Sequence, residues 1–393
     1  MSLTQSFYIN KRKELAAQLS VESLTILFSG REVVLSEDAN YPFYANNNFY
    51  YLTGIREPNV VLVLMKNKEG EVLQQLYIDE SDPLKEKWVG KKIDRNEAQA
   101  VSGITEVYYN KAMATEISRM ASAKTLYFDF KTPPHQSFKT ADEGLQKIIK
   151  QCDLKDVYPI LAQMRVLKTS AEIAAIQKAN QITKAGVTEI KKLLKPGIYE
   201  YELAAFFEYF IKKEGAEGLA FETIAAAGEN ATILHYVSNR CAIKAGDLVL
   251  FDLGARVDGY CGDISRTLAV NAEMSSTQQK LYEIVASVQK EMFKAYKPGA
   301  AMKDLQNLTK NLFLEKCLSA GFIPANNDIT EFYYHGIGHP LGLDTHDVRP
   351  PGELILKSGM VMTVEPGLYL EKIGIGIRIE DDVVITEDGC EVL

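Results

Sequence analysis

Acidic residues set in apolar, strand-like segments constrain this chain more than any other feature of its sequence. Asp252 and Asp263 lie in the segment LVLFDLGARVDGYCGDISRTLAV. The segment reads as a strand, an Asp-Gly turn and a second strand. An even loop over residues 256–259 would place the two carboxylates directly opposite each other on one face of the hairpin. A tight turn on Asp258-Gly259 would instead shift the register and require a bulge.

A second hairpin repeats this arrangement with two glutamates. Glu365 and Glu380 lie in GMVMTVEPGLYLEKIGIGIRIEDDVVIT, and a loop over residues 371–374 is centred between them. We therefore expect these carboxylates to lie opposite each other. At about 4 Å and an effective dielectric constant near 20, such a pair costs on the order of 4 kcal/mol. The acids thus require shared protons or bound cations, and two opposed pairs in apolar strands favour divalent metal ions.

The histidines strengthen the metal hypothesis. The chain has five, and His235, His335, His339 and His346 occur in the same part of the sequence as the acids. Glycine and proline residues in HGIGHPLGLDTHD disfavour a helix. We therefore predict a strand or loop whose backbone closely approaches a neighbouring segment. The fifth histidine, His135, follows two prolines and is predicted to lie in a surface loop.

One histidine with four carboxylates forms an oxygen-rich ligand set. Such a set suits Mn²⁺, with Co²⁺, Fe²⁺ or Zn²⁺ as alternatives. Two such ions about 3.5–4 Å apart would share a water, lower its pKa and polarise a carbonyl group. A nearby carboxylate could take the proton of that water, and the remaining histidines could hydrogen-bond the oxyanion or the leaving nitrogen. The pattern therefore predicts peptide hydrolysis.

Length and composition predict a soluble protein of two domains. The chain has 393 residues, of which 46% are hydrophobic, and this length is too great for a single hydrophobic core of ordinary size. A net charge of -8 without a basic run argues against nucleic acid as a partner. Five cysteines without a Cys-x-x-Cys pair argue against a disulfide framework and predict a cytoplasmic location. The sequence has no apolar signal region and no run long enough to span a membrane, so no membrane association is expected.

The first domain is predicted to be a small α/β domain over residues 1–160. Short apolar or alternating segments predict strands, and the segments between them predict helices. The predicted strands are 24–30, 60–66, 72–79 and 126–130, and the predicted helices are 7–19, 112–123 and 140–151.

The second domain, residues 161–393, repeats one pattern twice. Its first long helix begins near residue 170, where Thr169 and Glu172 predict a capping box. Each half has a Lys-Pro-Gly unit between two helices, followed by histidines and strands. This repeat suggests two pseudo-symmetric halves that enclose one site.

Five motifs occur in the order and approximate spacing of the creatinase/prolidase/methionine aminopeptidase family, which has the pita-bread fold. They are LFDLGA, GDISRT, HGIGHPLGLDTHD, TVEPGLY and IRIEDDVVIT. The chain resembles this family over nearly its whole length. The resemblance implies an α+β fold in which helices cover a curved antiparallel sheet in the C-terminal domain. It also implies five metal ligands: Asp252, Asp263, His339, Glu365 and Glu380.

The same resemblance implies roles for residues beside the metals. Glu365, His235 and His346 are expected to be catalytic, and Arg378 is expected to support the acids. Further side chains are expected to contact substrate: His235, His335, His346, Tyr369 and Arg378.

The first domain narrows the expected reaction. YPFYANNNFYYLTGIREPNVVLVL and DPLKEKWVGKKI resemble the N-terminal domain of aminopeptidase P, which methionine aminopeptidases lack. The resemblance implies hydrolysis of the bond between an N-terminal residue and a following proline, in peptides of three or more residues. It also implies a homodimer or homotetramer. Trp88 would either pack locally or reach a neighbouring subunit's site.

Two alternatives remain open at this point. A prolidase has the same fold and metals but prefers Xaa-Pro dipeptides, for which it needs a cationic group that holds the dipeptide carboxylate. A metal-free binding scaffold on the same fold is the other alternative, and the intact set of ligand types argues against it.

Overall fold

The computed structural model describes residues 3–118, 123–131, 150–323 and 328–393. The chain divides into two compact units, residues 3–164 and 165–393. His135 and most of the predicted helix 140–151 lie outside the described residues. No helix in the described part of the chain is long and apolar enough to cross a membrane.

The first unit contains a six-stranded mixed sheet and helices, as the α/β pattern predicts. Its strands are β1 (Ser23–Phe28), β2 (Val34–Ser36), β3 (Ala39–Asn40), β4 (Val61–Lys66), β5 (Val72–Ile78), β6 (Glu106–Tyr109), β7 (Thr125–Phe128) and β8 (Asp153–Asp156). Its helices are α1 (Gln5–Gln18), α2 (Asn47–Thr53), α3 (Pro83–Val89), α4 (Arg95–Ser102), α5 (Met113–Ser118) and α6 (Tyr158–Val166). The sheet has the order β6-β5-β4-β1-β7-β8, and β2 and β3 form a separate hairpin.

The second unit has two similar halves, each with two long helices followed by antiparallel strands. The helices are α7 (Ser170–Leu193), α8 (Glu200–Lys213), α9 (Ser276–Ala295) and α10 (Met302–Ser319). The strands are β9 (Gly218–Leu219), β10 (Ile224–Ala227), β11 (Leu248–Leu253), β12 (Ala255–Val257), β13 (Tyr260–Cys261), β14 (Ile264–Ala269), β15 (Val361–Val364), β16 (Gly367–Leu370), β17 (Ile375–Arg378), β18 (Asp381–Ile385) and β19 (Cys390–Val392). This arrangement confirms the predicted pita-bread architecture.

The helices of each half bury one face against the strands of that half. In the first half, Ile190 of α7 and Phe207 of α8 belong to one buried cluster with Val249 and Phe251 of β11. In the second half, residues of α9 and α10 share a cluster with β15 and β18. The predicted capping box begins α7, where Glu172 accepts the backbone N–H of the N-cap residue at 2.8 Å. Packing and capping thus fix the helices relative to the strands that carry the acids.

The hairpin that carries the two aspartates has the register set by its tight turn. Asp258 and Gly259 form the turn with φ values of 51° and 82°. Asp252 faces Ser265 across β11 and β14, and Asp263 lies two residues before that serine. The prediction of directly opposed aspartates was therefore wrong, because the two-residue turn shifts the pairing.

The hairpin that carries the two glutamates has the predicted register. Gly367 faces Arg378 across β16 and β17, and β15 and β18 continue the same register. Glu365 and Glu380 lie between these two stretches of pairing, so they occupy opposed positions. The loop over residues 371–374 closes the hairpin, with Gly374 in the left-handed conformation.

Glycines bring backbone segments into contact beside these acids. A Cβ on Gly254 would lie 1.9 Å from the carbonyl oxygen of Gly262, and a Cβ on Gly338 would lie 2.1 Å from the carbonyl oxygen of Thr363. Gly338 belongs to the histidine-rich segment, which runs alongside β15 and pairs with it through backbone hydrogen bonds. The predicted extended segment with close backbone approach is therefore confirmed.

We expect Gly254→Ala to lower the free energy of unfolding by about 1–3 kcal/mol or more, because the added methyl group has no space against the opposite backbone. Thermal denaturation of the variant beside the unsubstituted protein measures the effect. Gly389→Ala is the matched control, since a Cβ there meets no atom within 4 Å. Equal melting temperatures for the two variants would contradict the prediction.

Candidate metal centre

The residues implied as metal ligands converge within the second unit. One ligand atom each of Asp263, His339 and Glu380 lies within 4.8 Å of the other two. His339 Nε2 lies 3.6 Å from Asp263 Oδ2 and 3.5 Å from Glu365 Oε1. Burial, followed by the charges of Glu365 and Asp252, raises the pKa of Glu380. The structure therefore brings all five side chains together.

His339 presents a nitrogen lone pair to the carboxylates. Its Nδ1 lies 3.0 Å from the carbonyl oxygen of Pro340, which can only accept, so Nδ1 carries the proton. Burial lowers the pKa of His339, so the ring is neutral and Nε2 is an acceptor. An acceptor that faces two carboxylates needs a metal ion or a shared proton between them. This donor set therefore fits a metal ion.

Burial also makes the carboxylates costly to ionise together. It raises the pKa of Asp263, and the charges of Glu380 and Asp252 raise it further. It raises the pKa of Glu365 to about 7. The arrangement holds several anions in a volume from which water is largely excluded, and divalent cations would relieve their repulsion.

The guanidinium of Arg378 contacts carboxylate and hydroxyl groups of this cluster. It donates to Asp252 Oδ2 at 2.5 Å, to Ser265 Oγ at 2.8 Å and to Tyr369 Oη at 3.0 Å. Asp252 Oδ1 is buried and has no hydrogen-bond partner among the described residues, so one oxygen is available to a metal. These contacts match the expected support of the acids, whereas contact of Arg378 with substrate stays a prediction.

A chain of hydrogen bonds fixes His335 as a neutral ring. Its Nδ1 lies 2.7 Å from the Gly336 carbonyl oxygen and therefore donates. Its Nε2 lies 2.8 Å from Tyr369 Oη, and the phenol donates to it because Arg378 already donates to that oxygen. Burial lowers the pKa of His335 to about 3. His335 and Tyr369 thus form a rigid, uncharged wall beside the acids.

His235 and His346 lie on the accessible side of the centre. Both side chains are exposed, whereas the acids are buried or nearly so. The ring centroid of His346 lies 4.1 Å from that of His339 and 6.5 Å from that of His235. Burial lowers the pKa of His346. The two rings are therefore placed where a peptide could reach them.

Two hydroxyl groups that sequence reasoning did not assign hold the glutamates. Ser265 Oγ donates to Glu380 Oε2, and Thr363 Oγ1 donates to Glu365 Oε1 at 3.2 Å. Both hydroxyls are buried within strands that are otherwise mostly apolar. A polar residue at an inward strand position is the signal that could have identified them.

A buried ion cluster that was also missed anchors the segment that follows His339. Asp347 accepts from Arg165 at 2.6 Å and from Lys168 at 2.9 Å, and all three side chains are buried. Burial alone would raise the pKa of Asp347, but the charges of Lys168 and Arg165 outweigh it and lower that pKa. Asp347 directly follows His346, so the cluster constrains the backbone that carries that ring.

The metal-free protein is expected to lose stability as the pH rises from about 4.5 to about 7. The folded-state pKa of Glu365 is about 7, and its ordinary value is 4.5. Protonation of Glu365 therefore stabilises the folded protein fully below a pH of about 4.5, and this stabilisation is lost as the pH rises to about 7. Chelator-treated protein should therefore melt at a lower temperature at about pH 8 than at about pH 5. Added Mn²⁺ should raise the melting temperature at the higher pH.

Glu365→Gln is the control for this pH dependence, because an amide does not titrate. The variant should show a weaker dependence than the unsubstituted protein. Chelator-treated protein that is more stable at the higher pH would contradict the assignment of repelling, buried carboxylates.

Two family models match the chain. The model described as Metallopeptidase family M24 matches residues 174–387, and the model described as Aminopeptidase P, N-terminal domain, matches residues 8–128. These matches confirm both resemblances found in the sequence.

Relatives and solved structures match over nearly the full length. The Xaa-Pro aminopeptidase of Escherichia coli (strain K12) is 32% identical, over 100% of this chain and 95% of its own. A protein of solved structure from Bacillus anthracis is 41% identical, with a TM-score of 0.94 over 99% of this chain and 94% of its own. Aminopeptidase P from E. coli with the inhibitor Pro-Leu is 30% identical, with a TM-score of 0.92 over 100% of this chain and 95% of its own. A zinc-substituted form of that E. coli protein, in complex with product, has a TM-score of 0.94.

Proposed function

This chain belongs to metallopeptidase family M24, and we propose that it removes the N-terminal residue from peptides whose second residue is proline. The observation that carries the proposal is the convergence of acidic side chains on the lone pair of His339. The N-terminal domain match and the full-length similarity to Xaa-Pro aminopeptidase favour this reaction over that of a methionine aminopeptidase.

The proposed ligands of two divalent cations are Asp252, Asp263, His339, Glu365 and Glu380. Their oxygen-rich character favours Mn²⁺, with Co²⁺, Fe²⁺ or Zn²⁺ as alternatives. When bound, such cations supply a nucleophilic water of lowered pKa and polarise the scissile carbonyl group.

Glu365 is the proposed general base. Its carboxylate is held by the hydroxyl of Thr363 and lies 3.5 Å from His339 Nε2, so it is placed beside the water that the cations would hold. It would accept the proton of the attacking water and pass it to the leaving proline nitrogen.

The histidines outside the ligand set are proposed to bind the substrate. His235 and His346 are exposed beside the ligands, and an imidazole N–H from either ring could stabilise the developing oxyanion or the leaving nitrogen. The neutral wall of His335 and Tyr369 would line the proline side, since it offers ring surface without charge. Arg378 would act on the substrate through the acids that it orients.

We further propose a cytoplasmic homo-oligomer. All five cysteines are thiols, which suits a reducing compartment. Trp88 is 89% exposed, and Leu84 and Val89 of the same helix, α3, are also exposed. This apolar surface supports contact with a second copy, which light scattering of the unsubstituted protein and of Trp88→Ala would test.

Asp263→Ala and Glu365→Ala are each expected to abolish hydrolysis while the protein remains folded, because each removes a ligand and a repelling charge together. Steady-state assays with saturating Mn²⁺ measure activity, and circular dichroism measures folding. Glu208→Ala, which removes an exposed partner of Lys212, is the control. Full activity in either site variant would refute the assignment.

Xaa-Pro-Yaa tripeptides are expected to be cleaved, and a chelator is expected to stop the reaction until Mn²⁺ is restored. Xaa-Pro dipeptides are the matched substrates that separate this activity from prolidase. Cleavage of the dipeptides alone would assign prolidase activity. Failure to cleave either substrate when metal is bound would remove the proline-specific assignment.

A further inference from the structure

Glu200 is a buried carboxylate that lies outside the proposed ligand set. Its side chain has no exposed surface, and it is the first residue of α8. Oε1 accepts from the backbone N–H of Ala227 and from Asn230 Nδ2, both at 2.9 Å. Oε2 accepts from Tyr236 Oη and from the backbone N–H of Cys241, both at 2.9 Å. Four donors therefore converge on the two oxygens of one carboxylate.

All four donors belong to one segment of chain, residues 227–241, which carries His235. Ala227 and Cys241 are the first and last residues of this segment, and Asn230 and Tyr236 lie within it. Apart from a short 3-10 turn at Gly228–Thr232, the segment has no helix and its first residue alone belongs to a strand. Because regular backbone pairing does not fix the path of this segment, side-chain anchors such as Glu200 must do so.

The segment meets the metal centre at His235 and its neighbours in sequence. Leu234 and Tyr236 pack against a buried cluster that includes Tyr369, which is hydrogen-bonded to Arg378 and His335. The same Tyr236 donates its hydroxyl to Glu200. Tyr236 thus links the carboxylate on one side to the wall of the site on the other, and His235 is the adjacent residue.

The position of Glu200 suits an anion. The N-terminus of a helix stabilises negative charge, and four hydrogen bonds replace the water that burial removes. A carboxylate can accept from donors at both oxygens, whereas the amide of glutamine would turn one of its own N–H groups toward two of these donors. Glu200→Gln therefore loosens one side of the anchor without changing the size of the side chain.

We propose that Glu200 is a positioning residue that holds the segment 227–241 at both ends and thereby fixes His235 beside the metal ligands. The inference rests on the proposed function, in which His235 contacts the substrate. A displacement of about 1 Å at a substrate-contacting group can lower the rate about 100-fold, so an anchor of this kind bears directly on turnover.

The test is a double-mutant cycle with Glu200→Gln and His235→Ala, assayed on an Xaa-Pro-Yaa tripeptide with saturating Mn²⁺. Glu200→Gln alone should lower kcat/KM by about 10- to 100-fold. In the His235→Ala background the same change should cost less than about 3-fold, because the group that it positions is already absent. Metal content should be unchanged, and hydrogen exchange of residues 228–240 should be faster in Glu200→Gln.

Glu172→Gln is the matched control. Glu172 is also a buried glutamate in the first turn of a helix, and it accepts from Thr169 and from Tyr260 Oη. It does not bind the segment that carries His235. Any effect of Glu172→Gln on kcat/KM should be the same with and without His235. Tyr236→Phe, which removes one of the four hydrogen bonds, gives a second variant should Glu200→Gln fold poorly, and it should show a smaller effect that is also lost without His235.

Two outcomes would overturn the inference in distinguishable ways. If Glu200→Gln or Tyr236→Phe costs the same factor in both backgrounds, Glu200 supports the fold in general and does not position His235. If His235→Ala alone retains full activity, the proposed role of His235 is wrong, and the inference falls with it.

Discussion

Repulsion among buried carboxylates is the constraint on which the second unit depends. Asp263, Glu365 and Glu380 surround the side chain of His339, and the guanidinium of Arg378 contacts Asp252 beside them. Side chains on separate strands would move apart under this repulsion unless the backbone held them. The close contacts between glycine-containing segments supply that rigidity, and the proposed cations would complete the balance of charge.

Both halves of the second unit contribute acids to the site. The first half supplies Asp252 on β11 and Asp263 just before β14. The second half supplies Glu365 just after β15 and Glu380 just before β18, together with the histidine segment that runs along β15. Hydroxyl groups hold the glutamates both within a half and across the two halves: Thr363 donates to Glu365 of the same half, and Ser265 of the first half donates to Glu380 of the second. The site therefore requires that both halves pack against each other, which explains why a repeated pattern encloses one centre.

Two features were predicted correctly from the spacing of residues that lie close together in the sequence. The register of the Glu365 hairpin and the extended histidine segment follow from loop length and from glycine and proline positions. The expectation of opposed aspartates was wrong because the hairpin adopts the alternative tight turn at Asp258-Gly259, which shifts the register. The anchors at Glu200 and Asp347 were missed for a different reason: their partners lie far away in the sequence, and no period or motif records such contacts.

The proposed metal ligands and the two exposed histidine rings are held in place in different ways. The acidic residues proposed as metal ligands lie on or beside strands, where backbone pairing gives precise positions. His346 and His235 lie on irregular segments, and each segment is secured by a buried carboxylate outside the ligand set, Asp347 for one and Glu200 for the other. Because neither carboxylate is hydrogen-bonded to a proposed ligand among the described residues, we expect a change in either to move a ring proposed to face the substrate more than it moves the ligands.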